Sequence, residues 1–145
     1  MTNHLVCADA NFIIRLVSSQ TDNSAFITLW EEWRGNQITV VAPTLFYYEV
    51  TNALYRMSKA GQITIEQAKD ALIDALSFNI TLYGDRQLPN FHQTAFELAN
   101  QFNLPASYDA HYLALAQRLN CHFYTGDKRL YNTVKNQISW IILVT

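Results

Sequence analysis

The chain is poor in the residues that break regular structure, with 4 Gly and 3 Pro among its 145 residues. That scarcity excludes collagenous, linker-rich and low-complexity classes. Charge is sparse as well, since only 15% of residues are Asp, Glu, Lys or Arg, which argues against a disordered chain. There are two cysteines, Cys7 and Cys121, and no CxxC or Cys/His ligand spacing, so a zinc module is excluded. Both fall at expected strands and read as core thiols rather than as a disulfide. No Gly-rich phosphate loop is present, which removes a dinucleotide-binding reading. No apolar run reaches the length of a membrane span, so no membrane role is expected. Met1-Thr2-Asn3-His4-Leu5-Val6 has neither the basic region nor the cleavage site of a signal peptide, and a cytoplasmic location is the expectation. With 10 basic against 12 acidic residues the net charge is −2. Any contact with a polyanion must therefore come from local basic residues, not from a broad positive field.

What the chain does have is apolar sequence, at 50% of residues, enough for one domain over residues 1–145 with a real core. Short β-branched or apolar runs alternate with segments of helical period. Leu5-Ala8 reads as a strand and Asn11-Leu16 as a short helix. Asn23-Ser24 is a candidate cap for a helix ending at Gly35-Asn36. Ile38-Ala42 is a second strand, and Pro43-Thr44 opens a long helix closed by Gly61. Thr64-Ile65-Glu66-Gln67 has the capping-box pattern, starting a helix through Leu76. Phe78-Tyr83 is a third strand, followed by helices over about 90–102 and 107–119 split at Asn103-Leu104-Pro105. His122-Thr125 and Ser139-Val144 are the last two strands, with a short helix over Lys128-Val134 between them. This alternation predicts an α/β fold with a parallel sheet covered on both faces.

Four acids interrupt apolar surroundings: Asp9, Glu49, Asp109 and Asp127. Asp9 and Asp127 each follow a strand and precede a helix, which places them at the carboxyl edge of a parallel sheet, where ligands bind. Each also has an ordinary explanation as a helix N-cap. Glu49 flanks the apolar stripe Phe46, Val50, Ala53, Leu54 and Met57, next to Asn52 and in line with Arg56. It reads either as a half-buried acid satisfied by Arg56 or as a site residue with Asn52 in support. Asp109 lies in the first turn of a helix that is apolar on two sides, where the helix dipole alone would favour it. Singly these are capping residues. Jointly, three or four converging carboxylates cost several kcal/mol in repulsion and desolvation, roughly, unless a cation offsets it. Oxygen-only clusters select Mg2+ or Mn2+. The histidines His4, His92, His111 and His122 show no ligand spacing, and His111, two residues from Asp109, does not face it on a helix. The eight Tyr and eight Phe follow the apolar periodicity and read as core, with Trp30 and Trp33 open to an alternative as a partner-binding face.

Four segments, in order along nearly the whole chain, resemble the motifs of PIN-domain ribonucleases. They are Val6-Cys7-Ala8-Asp9-Ala10-Asn11, Tyr48-Glu49-Val50-Thr51-Asn52-Ala53-Leu54, Tyr108-Asp109-Ala110-His111-Tyr112-Leu113-Ala114-Leu115-Ala116 and Tyr124-Thr125-Gly126-Asp127-Lys128-Arg129-Leu130. The nearest resemblance is to the VapC-type toxins of bacterial toxin–antitoxin pairs. It implies a three-layer α/β/α fold with a five-stranded parallel sheet, and metal-dependent endonucleolytic cleavage of RNA such as tRNA or ribosomal RNA. It further implies Asp9, Glu49, Asp109 and Asp127 as metal-binding catalytic acids, supported by Asn11, Asn52 and Thr125. A homodimer and silencing by an antitoxin protein are implied as well.

One feature departs from the family pattern. Many relatives carry a further acid just after the last motif, where this chain has Lys128-Arg129-Leu130, so one metal ion or two remains open, and a one-metal resting state is compatible with the sequence. Lys128 and Arg129, with Arg15, Arg56 and Lys59, are candidate contacts for RNA phosphates. Two other readings compete. A haloacid-dehalogenase-type phosphatase also begins with Asp after a first strand. It requires a second Asp where this chain has Asn11, and another where it has Tyr131. A non-catalytic PIN-like module that binds RNA or protein usually lacks one or more of the acids, whereas this chain keeps all four.

Overall fold

The computed structural model describes residues 4–18 and 24–145. Its centre is a sheet of five strands, all parallel, in the order β3-β2-β1-β4-β5. The strands are β1 (Leu5–Ala8), β2 (Thr39–Pro43), β3 (Thr81–Tyr83), β4 (His122–Thr125) and β5 (Ile141–Leu143). The helices are α1 (Ala10–Val17), α2 (Ser24–Gly35), α3 (Phe46–Lys59), α4 (Ile65–Ser77), α5 (Phe91–Gln101), α6 (Tyr108–Leu119) and α7 (Lys128–Val134). Chain order and strand order diverge at the centre. From β1 the chain builds outward through β2 to β3, then returns to lay β4 on the other flank of β1. That reversal opens a crevice at the carboxyl ends of β1 and β4, the usual ligand position in such sheets.

The three inner strands, β2, β1 and β4, are more deeply buried than the edge strands β3 and β5. Cys7, Ala8, Phe123 and Thr125 are fully covered, as β1 and β4 require with helices on both faces. Cys7 and Cys121 are buried free thiols, as expected. The expected strands at 78–83 and 139–144 shrink to three residues each, because β3 and β5 are edge strands with one neighbour apiece and their flanking residues are drawn elsewhere. Phe78 caps the end of α4 and packs on Trp30, with ring centroids 4.7 Å apart. The helix expected to open at Pro43-Thr44 begins instead at Phe46. Pro43 pairs with Tyr83, and the Thr44 N–H still donates to the Tyr83 carbonyl at 3.0 Å, which holds both in the sheet.

Other boundaries follow local chemistry. Thr64 and Gln67 form the reciprocal capping box at the start of α4. Gly61 takes φ of 77° between α3 and α4, a backbone state that glycine adopts without penalty. The expected cap at Asn23 lies outside the described residues. Trp30 and Trp33 are not an open partner-binding face. Trp33 is buried, stacked on Phe12 at 5.0 Å and edge-on to Tyr124 at 4.9 Å, and Trp30 is half-buried. Packing α2 against α1 and β4 needs their bulk there. Among the described residues no helix is long and apolar enough to cross a membrane.

Candidate active site

Asp9 and Asp127 occupy matching positions one and two residues beyond the central strands, and each caps the helix that follows. The Phe12 N–H donates to Asp9 Oδ1 at 2.9 Å, and the Leu130 N–H to Asp127 Oδ1 at 3.0 Å. The capping reading of the sequence is therefore correct for both, and it does not compete with a place in the site. Thr125 ties them together. Its hydroxyl donates to Asp9 Oδ2 and accepts from the Asp127 N–H at 3.0 Å. Fully buried at the end of β4, Thr125 fixes the spacing between the two strand ends.

Glu49 and Asp109 arrive from helices. Each lies in the first turn of its own, α3 and α6. Glu49 is not satisfied by Arg56: among the described residues none of the four acids forms an ion pair, and Arg56 is exposed. Its partner is Tyr112, whose hydroxyl donates to Glu49 Oε1 at 2.7 Å. Sequence reasoning assigned Tyr112 to the core, and its ring is there. The signal available was its position three residues after Asp109, which puts a phenol hydroxyl and an acid on one helix face.

The electrostatics tie the four together. Burial, and behind it the charges of Asp109 and Asp127, pushes the Asp9 carboxyl up to about 7, against hydrogen bonds from Thr125 and the Phe12 N–H that act the other way. Burial raises Glu49, opposed by the Tyr112 hydrogen bond and reinforced by Asp109. Burial also raises Asp109, reinforced by Asp127. The groups that favour the charged forms are hydroxyls and an N–H; no cation is among them. Among the described residues no three acidic, His or Cys side chains close into a ready metal cage. Asp9 and Asp127 each commit one oxygen to a helix cap and Glu49 one to Tyr112. The donor set is nonetheless all carboxylate oxygen, under-neutralised and mutually repelling, and it fits a hard divalent cation.

Of the supporting residues, Thr125 acts directly on two acids. Asn11 and Asn52 are exposed and share with Glu49 and Arg56 the lining of a cavity of about 410 Å3. Lys128 and Arg129 begin α7 directly after Asp127, both exposed, and Lys59 lies exposed in the last turn of α3. Arg15 stands apart in character, its guanidinium 5.5 Å from the centre of the Phe26 ring. His111 is not isolated. Its Nδ1 lies 2.7 Å from the Ser107 carbonyl and its Nε2 3.0 Å from His92 Nδ1, a pair that joins α5 to α6.

Fold and site together define a class: a doubly covered parallel α/β sheet with a group of electrostatically coupled acids at the point where strand order reverses. The PIN domain family model matches residues 6–136, and the chain belongs to the PIN-domain family, a family of nucleases. Its structure is similar to that of PAE2754 from Pyrobaculum aerophilum, with a TM-score of 0.64, 21% identity, and coverage of 92% of this chain and 88% of that one. It is similar also to VapC20 of Mycobacterium tuberculosis, a toxin that cleaves the sarcin-ricin loop. There the TM-score is 0.64 and the identity 12%, with 92% of this chain and 95% of that one covered. At these identities the similarity speaks for the fold. No curated protein matches the sequence.

Proposed function

We propose that this chain is a divalent-metal-dependent endoribonuclease, the toxin of a toxin–antitoxin pair, with Asp9, Glu49, Asp109 and Asp127 as its metal-binding and catalytic acids. The observation that carries the reading is the convergence of four acids in a chain of the PIN-domain family: Asp9 and Asp127 are joined through Thr125, and Asp109 couples electrostatically to Asp9 and Glu49. A site of this kind is stabilised by a bound cation.

Asp9, Glu49, Asp109 and Asp127 would hold Mg2+ or Mn2+, which would supply charge neutralisation at a phosphate oxygen and acidification of a water. The chain's own residues set the geometry. Asp9 and Asp127 are fixed to backbone N–H groups and to each other through Thr125, so their spacing does not relax when the substrate arrives. Glu49, with Oε1 held by Tyr112, keeps Oε2 available to bind a cation, to orient the attacking water or to accept its proton. Water as nucleophile breaks the P–O3′ bond, leaving 5′-phosphate and 3′-hydroxyl ends, with no demand on the RNA 2′-hydroxyl. Lys128 and Arg129, beside Asp127, and Arg56, on the cavity that Glu49 lines, are placed to meet phosphates of the RNA. Arg15 and Lys59 complete the candidate basic set.

The toxin role and its partners are supported by the motif resemblance to VapC-type toxins and by a fold shared with a VapC protein. A cognate antitoxin and a homodimer belong to this reading, as does a structured RNA such as tRNA or ribosomal RNA as target. The test is cleavage of a mixed RNA pool by purified protein in Mn2+ or Mg2+, with EDTA and Asp109→Asn as controls. Cleavage lost in both controls is the expected result. A folded, antitoxin-free protein that binds RNA but cuts none of it would replace this reading with the non-catalytic binding module.

A further inference from the structure

Tyr112 is only 1% exposed, yet its hydroxyl leaves the core to reach an acid of the site. The ring is fixed from the sheet side. It stacks on Phe123 of β4, with centroids 5.7 Å apart and planes at 21°, and the Tyr112 carbonyl accepts from Cys7 Sγ of β1 at 3.8 Å. The hydroxyl is therefore anchored to the two central strands, while its acceptor, Glu49 Oε1, rides on α3. Because Tyr112 follows Asp109 by three residues on α6, the same helix face carries one acid and the group that holds another.

The donor's chemistry matters as much as its position. An Arg or Lys in this place would hold Glu49 but cancel the negative charge that a cation needs. A phenol satisfies one carboxylate oxygen and leaves the charge in place, as Thr125 does for Asp9.

We propose that Tyr112 is a positioning residue of the acidic site: its hydroxyl fixes Glu49 Oε1 and so presents Oε2 as the oxygen that meets the divalent cation. This rests on the metal-dependent reading above. Groups that orient metal-binding side chains typically change metal affinity by about 10- to 100-fold when removed.

The experiment is a Mn2+ titration of the full chain, followed by the electron paramagnetic resonance signal of free Mn2+, which needs no RNA and no turnover. Tyr112→Phe keeps the ring and its stack on Phe123. It is expected to weaken Mn2+ binding by about tenfold. In a Glu49→Gln background the same substitution is expected to change affinity by less than about twofold, because the bond it removes no longer orients a ligand. Urea unfolding of each metal-free variant measures any loss of stability separately. Equal affinity of wild type and Tyr112→Phe overturns the positioning role. So does an equal loss in both Glu49 backgrounds, which would make the hydroxyl a general structural prop. A wild-type protein that takes up no Mn2+ at millimolar concentration overturns the metal-dependent reading along with it.

Discussion

The site is built in two ways that differ in what else their residues do. Asp9 and Asp127, at the strand ends, are bound to backbone N–H groups and joined through Thr125, so in the proposed site they would be structural and functional at once. Glu49 and Asp109, on helices, form no cap. Glu49 is held by a single side-chain hydroxyl, and α6 starts without a side-chain capping bond from Ser107. The strand-end pair supplies a rigid reference and the helix pair supplies charge. Removing a member of either pair should silence the site, but only in the strand-end pair should it also cost a helix cap.

The largest expected effect is common to both pairs. Asp9→Asn and Asp109→Asn should each lower Mn2+-dependent RNA cleavage by about a hundredfold or more, read as initial rate on a fixed RNA pool. Retained cleavage in either would break the equivalence of the pairs and displace that residue from the site.

The next effect is the pH dependence of stability, to which Asp9, the most strongly raised of the acids, contributes most. A carboxyl that titrates near 3.8 when unfolded and about 7 when folded binds its proton more tightly in the folded state. Stability is therefore greatest at low pH and falls as pH rises from about 4 to about 7, then stops changing. Carried through linkage, the Asp9 shift corresponds to a loss on the order of 4 kcal/mol for the metal-free protein. Urea unfolding across that window, with EDTA, should show the decline. Asp9→Asn should flatten most of it, and Mn2+ should offset it in the wild type. A metal-free stability that rises over pH 4 to 7 would contradict the assignment of Asp9 as a buried, repelled acid.

Much of this was legible in the sequence because periodicity and strand-end position are local signals. The all-parallel sheet follows from strand–helix alternation, and the short strand His122–Thr125 and helix Lys128–Val134 fall where their residues predict. The edge strands were overestimated, because an apolar run does not reveal how many neighbours it will pair with. Trp33 and Tyr112 were harder for another reason. Whether a large aromatic is core, and where its polar tip ends, depends on elements distant in sequence: Phe12 and Tyr124 for Trp33, Glu49 for Tyr112. The Glu49–Arg56 pairing failed for the same reason, since proximity on one helix lost to a hydroxyl from 63 residues away.

A smaller effect sharpens the contrast in stability at fixed pH. Asp127→Ala removes the Leu130 capping bond and should cost about 1 kcal/mol in urea unfolding of the metal-free protein. Asp109→Ala removes no capping bond. It loses a favourable interaction with the start of α6, but it also relieves burial and the repulsion of Asp127. These effects oppose one another, and the net change should stay within about 0.5 kcal/mol. A loss at Asp109 as large as that at Asp127 would erase the distinction between the pairs.

The smallest effect concerns the residues that follow the strand-end acid. Lys128 and Arg129 open α7, where the positive end of the helix disfavours cations. Replacing both with Gln should therefore leave the metal-free protein equally stable or a few tenths of a kcal/mol more stable, roughly. If the pair meets RNA phosphates, the same change should weaken RNA binding and make log affinity less steep against log salt, by about 0.7 for each phosphate no longer neutralised on a single strand. Opposite signs for stability and binding are what a site-serving charge at an unfavourable helix position requires. An unchanged salt slope would mean that Lys128 and Arg129 serve only as solvated charges, and would move phosphate binding to Arg56, on the cavity it shares with Glu49.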